Sequence, residues 1–379
     1  MIPYNVPVFV PGALENIRQA CEINRKTSGD GPFTKRAGEW LENQTGAPKV
    51  LLTTSCSHAL EMMAVLCDIQ QGDEVIIPSF NFPSAANAIV LRGATCVFVD
   101  IRPDTMNIDE TLVEQAITPR TRAISVMHYA GVACEMDTIA RIARRHNLFL
   151  LEDAAQGMLS EYNGRPLGTL GDMGAYSFHE TKNFSMGEGG CLILGDEAYY
   201  LPAEMLREKG TDRSRFFRGE VDKYNWQTMG SSYLPSEINA AYLCAQLDIA
   251  QEINQKRLHI WQRYYDGLRR LQSEGRIALP SVPDNCRHNG HIFFFKCRDL
   301  EERTRFIRHM RSKGVLTVFH YIPLHDSPAG KKYGRFHGQD RFTTAESERL
   351  VRLPLYYDLQ DTQVDYIIEC VEEFFNKAV

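Results

Sequence analysis

Between about residue 49 and residue 190 the sequence switches repeatedly between short apolar runs and stretches of helical periodicity, a rhythm that few folds accommodate. The runs are KVLLTT, DEVIIP, TCVFVD, RAISVM and LFLLED. Such alternation favours a mostly parallel sheet covered by helices. One intervening segment shows the period directly: Met136, Ile139, Ile142 and Ala143 share a helical face, and His146-Asn147 ends the segment before the next strand. The pattern predicts at least one βαβ-like unit.

The character changes after about residue 250. The segment AQLDIAQEINQKRLHIWQRYYDGLRRL predicts one long helix linking two regions, with Leu247, Ala250, Ile253, Trp261, Tyr264 and Leu268 as its buried stripe, interrupted at Arg257. Beyond it, HIFFFKC reads as a strand, RTRFIRHMRSKG as a helix stopped by Gly314, and VLTVFHY as another strand. Near the end, Val364, Ile367, Ile368, Val371, Phe374 and Phe375 recur at helical spacing and belong to a core. The expected division is a large domain over residues 1–250, including the N-terminal segment, and a smaller α+β domain over 251–379; a length of 379 residues agrees with two domains.

Composition narrows the function classes. With 44% hydrophobic and 24% charged residues the chain is an ordinary globular one, and a net charge of -6 argues against broad attraction to nucleic acid or anionic membranes. Ten cysteines with no C-x-x-C pair predict reduced, mostly buried thiols and no zinc or other metal site. The start, MIPYNVPVFVPG, lacks the features of a signal peptide, and no apolar stretch is long enough to span a bilayer, so a cytoplasmic location is expected.

The stretch with most chemical content is LEDAAQG followed by GAYSFHETKNFSMGEGG. Asp153 ends an apolar run, where open α/β sheets place ligand-binding groups. A carboxylate there could pair with a protonated pyridine nitrogen and keep the ring electron-poor; it could equally cap the helix that AAQ would begin. Lys182 follows another strand-like run, AYSFH, just before a glycine-rich turn. A lysine amine can bond covalently to an aldehyde and later shuttle a proton, although an isolated lysine is ordinarily a solvated surface charge. Its company favours the chemical reading: Asp153, the Ser177 hydroxyl, and Gly187, Gly189 and Gly190. In TTSCSHALEMM, Ser55, Cys56 and Ser57 precede a helical pattern and suit either a phosphate or simple N-capping. Phe82, in PSFNFPSAANA, could stack on a ring or fill a core.

The order S-C-S-x-A-L, F-N-F, E-D-A-A-Q and S-F-H-E-T-K-N…G-E-G-G resembles the DegT/DnrJ/EryC1/StrS sugar aminotransferases, across essentially the whole chain. The resemblance implies the fold-type I architecture of pyridoxal-phosphate-dependent aminotransferases, with pyridoxamine phosphate as the alternate cofactor form. It makes Lys182 the Schiff-base lysine and proton shuttle and Asp153 the partner of the pyridine nitrogen. Gln156 would lie against the ring, Phe82 would stack on it, and Cys56, through its backbone, with Ser57 and Ser177 would hold the phosphate. His179 belongs to the same motif, with either a cofactor contact or a structural role. Many members carry an asparagine and an arginine in G-x-N-x-R, donated by the neighbouring subunit toward the phosphate; GSSYL offers Ser232 and Leu234 instead, leaving Ser232 as a weaker donor. A homodimer with sites between subunits is thereby implied.

The segments FVDIRPDTMNIDE, HYAGVACEMDTI, SFHETKN and FHYIPLH carry the resemblance toward members that aminate C4 of a dTDP-linked 4-keto-6-deoxy sugar with L-glutamate as donor. In KGTDRSRFFRGEVDKYNW, Arg213, Lys223, Tyr224 and Trp226 could meet a nucleotide diphosphate or form a solvated loop. His320, Tyr321 and His325 match a family segment near the sugar nucleotide, and Gly29 and Gly31 in SGDGPFT could supply close backbone contacts. Sugar dehydratases of this family replace the Schiff-base lysine with histidine, which Lys182 contradicts. A silent cofactor-binding regulator is disfavoured by the joint presence of Asp153 and Lys182.

Overall fold

A computed structural model describes residues 1–377. The apolar runs form β1 (Lys49–Thr53), β2 (Glu74–Pro78), β3 (Thr95–Val99), β4 (Thr121–Met127) and β5 (Phe149–Asp153). After two short strands, β6 (Glu161–Tyr162) and β7 (Arg165–Pro166), come β8 (Met173–Ser177) and β9 (Gly190–Leu194). The C-terminal part adds β10 (Cys286–Arg287), β11 (Phe293–Lys296), β12 (Gly334–Phe336) and β13 (Leu350–Leu353).

Eight of these strands make one sheet in the order β1-β9-β8-β5-β4-β2-β3-β12. Only β9 runs antiparallel to its neighbours, β1 and β8; every other pairing in the sheet is parallel. Strands β2, β8 and β9 are buried at every position, because helices cover both faces. The predicted helix is Met136–His146, and it stops where Asn147 turns left-handed at φ 52°.

A separate apolar core, with Trp261, Phe293, Phe306, Val351, Val371 and Phe375 among its members, has its buried residues in the C-terminal part of the chain, with Ile2 and Val6 packed against it. It packs helices Ala250–Ser273, Leu300–Ser312 and Asp361–Lys377 around the β11/β13 pair. Several segments cross between the parts: β12 pairs with β3 at the edge of the large sheet, β10 pairs with β6, and Ile2 bridges Val315.

Two expected elements differ. The long helix is broken into Glu237–Leu247 and Ala250–Ser273, because Ile249 adopts a non-helical φ of -117° and ψ of 25°. Arg257, the interruption in its stripe, is nevertheless buried; it donates to the carbonyls of Gly290, His291 and Leu355 at 3.2, 2.6 and 3.2 Å. VLTVFHY is no strand: it makes only single bridges, at Val315 and Val318, before turning so that His320 and Tyr321 pack against Phe80 and Tyr129.

Candidate active site

Parallel strands end on one side of a sheet, so whatever follows β4, β5 and β8 must gather there. Met127, Asp153 and Ser177, the last residues of those strands, line one cavity of about 750 Å³. Cys56, Ser57, Phe82, Gln156, His179, Lys182, His320 and Tyr321 also line it. Of the residues singled out for chemistry, the structure therefore brings the Asp153, Lys182, Ser177 and Ser57 groups into one space.

Lys182 lies on a turn that the chain ties at several points. Its N–H donates to the His179 carbonyl at 2.9 Å, while Phe178 and Glu180 donate to Gly189 and Gly187 at 2.8 and 2.9 Å. Gly187 takes φ 76°, a left-handed conformation that side chains resist. Asn183 then anchors the next position, donating to the Asn289 carbonyl at 3.1 Å and facing His291 Nδ1 at 2.9 Å. Desolvation holds the Lys182 ammonium below the ordinary lysine range, opposed by Cys56 and Asp153. A larger neutral fraction is what a nucleophilic amine requires.

Asp153 is buried, and burial raises its carboxyl above the usual range, opposed by the Ala155 N–H bond, Lys182 and His128. That bond, 3.1 Å to Oδ1, is a local turn contact and no helix follows it, so the capping alternative reduces to a single hydrogen bond. The backbone behind it is braced by residues the sequence left unnoticed. Glu152, the preceding residue on β5, faces His128 Nε2 at 2.9 Å and accepts N–H bonds from Gly168, Leu170 and Gly171 at 2.8, 2.5 and 2.6 Å. Cys134 N–H donates to His128 Nδ1 at 3.2 Å, which puts the ring proton on Nε2, toward Glu152.

Ser55 caps the Cys56–Leu66 helix, accepting from His58 N–H at 3.1 Å. A helix start leaves its first N–H groups without intrahelical partners, here those of Cys56 and Ser57. Ser57 Oγ lies 2.6 Å from Ser84 Oγ, and Ser177 Oγ accepts only a long 3.4 Å bond from His179 N–H. Gly190 sits between these groups, in register with Thr53 of β1 and Ser177 of β8. A Cβ there would stand 2.4 Å from the Cys56 nitrogen and 2.6 Å from the Ser55 carbonyl carbon. An amine, a buried carboxylate and a donor-rich helix start within one cavity suit an aldehyde-bearing, phosphorylated pyridine. Gly190→Ala is expected to push the helix start away and weaken pyridoxal phosphate binding by about 1–3 kcal/mol, roughly 5- to 150-fold. Titration of the apoprotein measures this, and an unchanged affinity contradicts the cradle.

A family model described as the DegT/DnrJ/EryC1/StrS aminotransferase family matches residues 12–372. The chain belongs to this family. It is 30% identical over 386 residues to the spore coat polysaccharide biosynthesis protein SpsC of Bacillus subtilis, covering 100% of this chain and 98% of that one. Among solved structures it resembles the aminotransferase TlmJ of Streptoalloteichus hindustanus, with TM-score 0.91, 29% identity and all of both chains covered. It also resembles the putative sugar aminotransferase Spr1654 of Streptococcus pneumoniae in its PMP form, with TM-score 0.92, 27% identity and all of both chains covered. Like the family, the protein is a pyridoxal-phosphate-dependent aminotransferase of fold-type I, and a keto sugar and an amino donor are its substrate classes.

Within this aminotransferase, other expected contacts fall outside the cavity. Gly29 and Gly31 pack against residues 234–237, where Gly31 N–H donates to Glu237 Oε1 at 3.0 Å. Glu237, fully buried, also accepts from the N–H groups of Phe33 and Thr34 at 2.9 Å each, so it caps the Pro32–Thr45 helix from far along the chain. Arg213 stacks on Phe217 and pairs with Glu208, while Lys223, Tyr224 and Trp226 are exposed. Ser232 is exposed and bridges Glu208. His325 joins Ser79 Oγ at 2.6 Å and Asp340 at 3.2 Å, holding a loop. By contrast Gln156, buried, donates to Tyr321 Oη at 2.8 Å and accepts from Ala130 N–H at 2.7 Å. Tyr4, His291 and Arg352 also line the cavity, and none of the three is marked by the sequence.

Proposed function

We propose that the enzyme transfers the amino group of L-glutamate to C4 of dTDP-4-keto-6-deoxy-D-glucose, giving dTDP-4-amino-4,6-dideoxy-D-galactose and 2-oxoglutarate. The observation that carries amino transfer is the convergence of the Lys182 amine and the buried Asp153 carboxylate on one cavity. The choice of sugar draws on the resemblance carried by FVDIRPDTMNIDE and FHYIPLH. Bound pyridoxal phosphate supplies an electron sink for the charge left when a proton leaves the substrate carbon. Lys182 holds the cofactor and, once released, carries that proton between cofactor and substrate. Asp153 keeps the ring nitrogen protonated; Cys56 N–H and the Ser57 and Ser177 hydroxyls hold the phosphate, and Phe82 covers the ring. Gln156, its orientation set by Ala130 and Tyr321, borders the ring. His320 and Tyr321 face the sugar.

A homodimer belongs to the same reading. Phe217, Trp226 and Met229, 64%, 80% and 52% exposed, crowd one segment of the surface. A partner subunit would bury them, and the Glu208–Ser232 bridge lies close to them along the chain. A cytoplasmic setting agrees with ten cysteines that are all free.

Incubation with L-glutamate and dTDP-4-keto-6-deoxyglucose, followed by NMR of the product, tests the assignment. The expected product carries an axial amine at C4. An equatorial amine replaces the galacto assignment with the gluco epimer, and no aminated product from any nucleotide keto sugar refutes the transferase reading.

A further inference from the structure

One imidazole in the cavity wall, that of His291, has no part in the mechanism above, yet the chain fixes it from three sides. Its N–H donates to Asn289 Oδ1 at 3.0 Å, and Asn289 is itself held by donating to the carbonyls of Gln156 and Met158, at 2.8 Å each. Its carbonyl accepts from the buried Arg257 at 2.6 Å. Its ring meets Asn183, the chain neighbour of Lys182, with Nδ1 2.9 Å from Oδ1.

That last contact decides which ring nitrogen carries the proton. Asn183 Nδ2 donates to the Asn289 carbonyl at 3.1 Å, and a carbonyl only accepts, so the amide is held one way round. The amide oxygen that faces the imidazole also only accepts. Nδ1 must therefore donate, which leaves Nε2 of the neutral ring as an acceptor. Burial, followed by the charges of Lys182, Arg257 and Arg352, holds the imidazole well below the ordinary histidine range and keeps it neutral. Nε2 bonds to none of the described residues and is not among their buried unpaired atoms, so it opens on the cavity that His291 lines.

An acceptor in such a place needs a donor, and the reaction creates one. Lys182, once released from the cofactor, carries two N–H bonds as a base and three after it has taken the proton. The titratable groups that act on it are Cys56, Asp153 and Arg352. Arg352 only donates, burial keeps the Cys56 thiol protonated, and Asp153 is given to the pyridine nitrogen. His291 offers the acceptor that these three do not, and among the charges acting on it that of Lys182 is the largest.

We propose that His291, held in its Nδ1–H form by Asn183, is the acceptor that receives the Lys182 amine when it leaves the cofactor. One N–H of the amine points at Nε2, which leaves the lone pair free to turn toward the substrate carbon, and the same bond steadies the ammonium formed when the proton is taken. The proton stays on the lysine and the imidazole stays neutral throughout. The inference rests on the transaminase reading and adds a positioning residue to it.

The contact is read first in the cofactor-free full chain, by labelling Lys182 with acetic anhydride across pH and following its peptide by mass spectrometry. His291→Phe is expected to move the midpoint of labelling to about tenfold higher proton concentration, because an ammonium that has lost its acceptor gives up its proton more readily. His291→Gln, whose Oε1 replaces Nε2, should hold the midpoint near that of wild type. In the holoenzyme Lys182 works in both half-reactions, so His291→Phe should lower kcat of each by about 10- to 100-fold, with KM for L-glutamate and for the nucleotide keto sugar unchanged. Three results overturn the assignment: an unmoved midpoint in a His291→Phe chain that melts cooperatively; an equal shift in Asn183→Ala, which keeps the imidazole and so makes the effect one of turn geometry; or a rise in KM for the sugar alone, which gives Nε2 to a sugar hydroxyl. Should His291→Phe not fold, nitrogen NMR of the wild-type imidazole decides: the Nε2 signal is expected to move in Lys182→Ala, and an unchanged signal rejects the contact. A wild-type enzyme that reacts with no amino acid refutes the transaminase reading itself, while labelling of the cofactor-free chain still tests the contact between His291 and Lys182.

Discussion

Lys182→Ala is expected to reduce amino transfer by at least about 10⁴-fold, since one substitution removes both the covalent anchor and the group that carries the proton. The fold should survive, because the change deletes a half-buried amine whose charged form burial already disfavours. The turn that carries it is held by backbone bonds of Phe178, Glu180 and Lys182 and by Asn183, none of which needs the lysine side chain. Purified variant should melt cooperatively, bind pyridoxal phosphate noncovalently and lack the visible absorbance of lysine-bound cofactor. Turnover within tenfold of wild type would remove Lys182 from the mechanism.

Asp153→Asn should cost about 10²–10³-fold in kcat, the size expected when a charge-stabilising group is lost from a water-poor site. Asparagine keeps the acceptor for Ala155 N–H but cannot hold a proton on the pyridine nitrogen. The same substitution should act oppositely on the stability of the apoprotein. Because burial raises the carboxyl of Asp153 in the folded chain, its contribution is fully present below the unfolded value of about 3.9 and is lost as pH rises through the folded value. Near pH 7 the ionised carboxylate therefore destabilises the apoprotein, and the asparagine variant should melt at a higher temperature. That gap should close as pH falls into the carboxylate range. A variant that is less stable at pH 7, or fully active, contradicts this account. Activity gained at the expense of stability is a common arrangement in enzyme sites.

The parts of the site that were legible from the residues are local in sequence. Ser55, Cys56 and Ser57 adjoin the helix they start, and Lys182 follows its strand within a few positions. Asp153 is itself the last residue of β5. Residues supplied from a distance were not legible. Arg352 stands in the apolar run LVRLPLYY, where a lone arginine is a faint signal, and nothing local connects it to Lys182. Gly29 and Gly31 were expected to meet the sugar nucleotide through their backbone, but in the structure Leu234 and Pro235 crowd Gly29 and Glu237 crowds Gly31, some 200 positions away. The break at Ile249 escaped notice because Leu247, Ala250 and Ile253 keep helical spacing across it, and periodicity does not register a change in one pair of dihedral angles.

By itself, then, the sequence determined the strands of the parallel sheet, the helix starts and turns that follow them, and the identity of the groups at their carboxyl ends. These depend on interactions between residues close along the chain. Tertiary structure alone decided that β12 would close the sheet edge beside β3, that Glu237 would cap a remote helix, and that Arg352 and Tyr4 would share a cavity with Lys182. Each of those contacts brings together segments far apart in sequence, and burial of apolar clusters, among them one that joins Phe80 and Tyr129 to Phe294 and Leu350, sets where such segments meet.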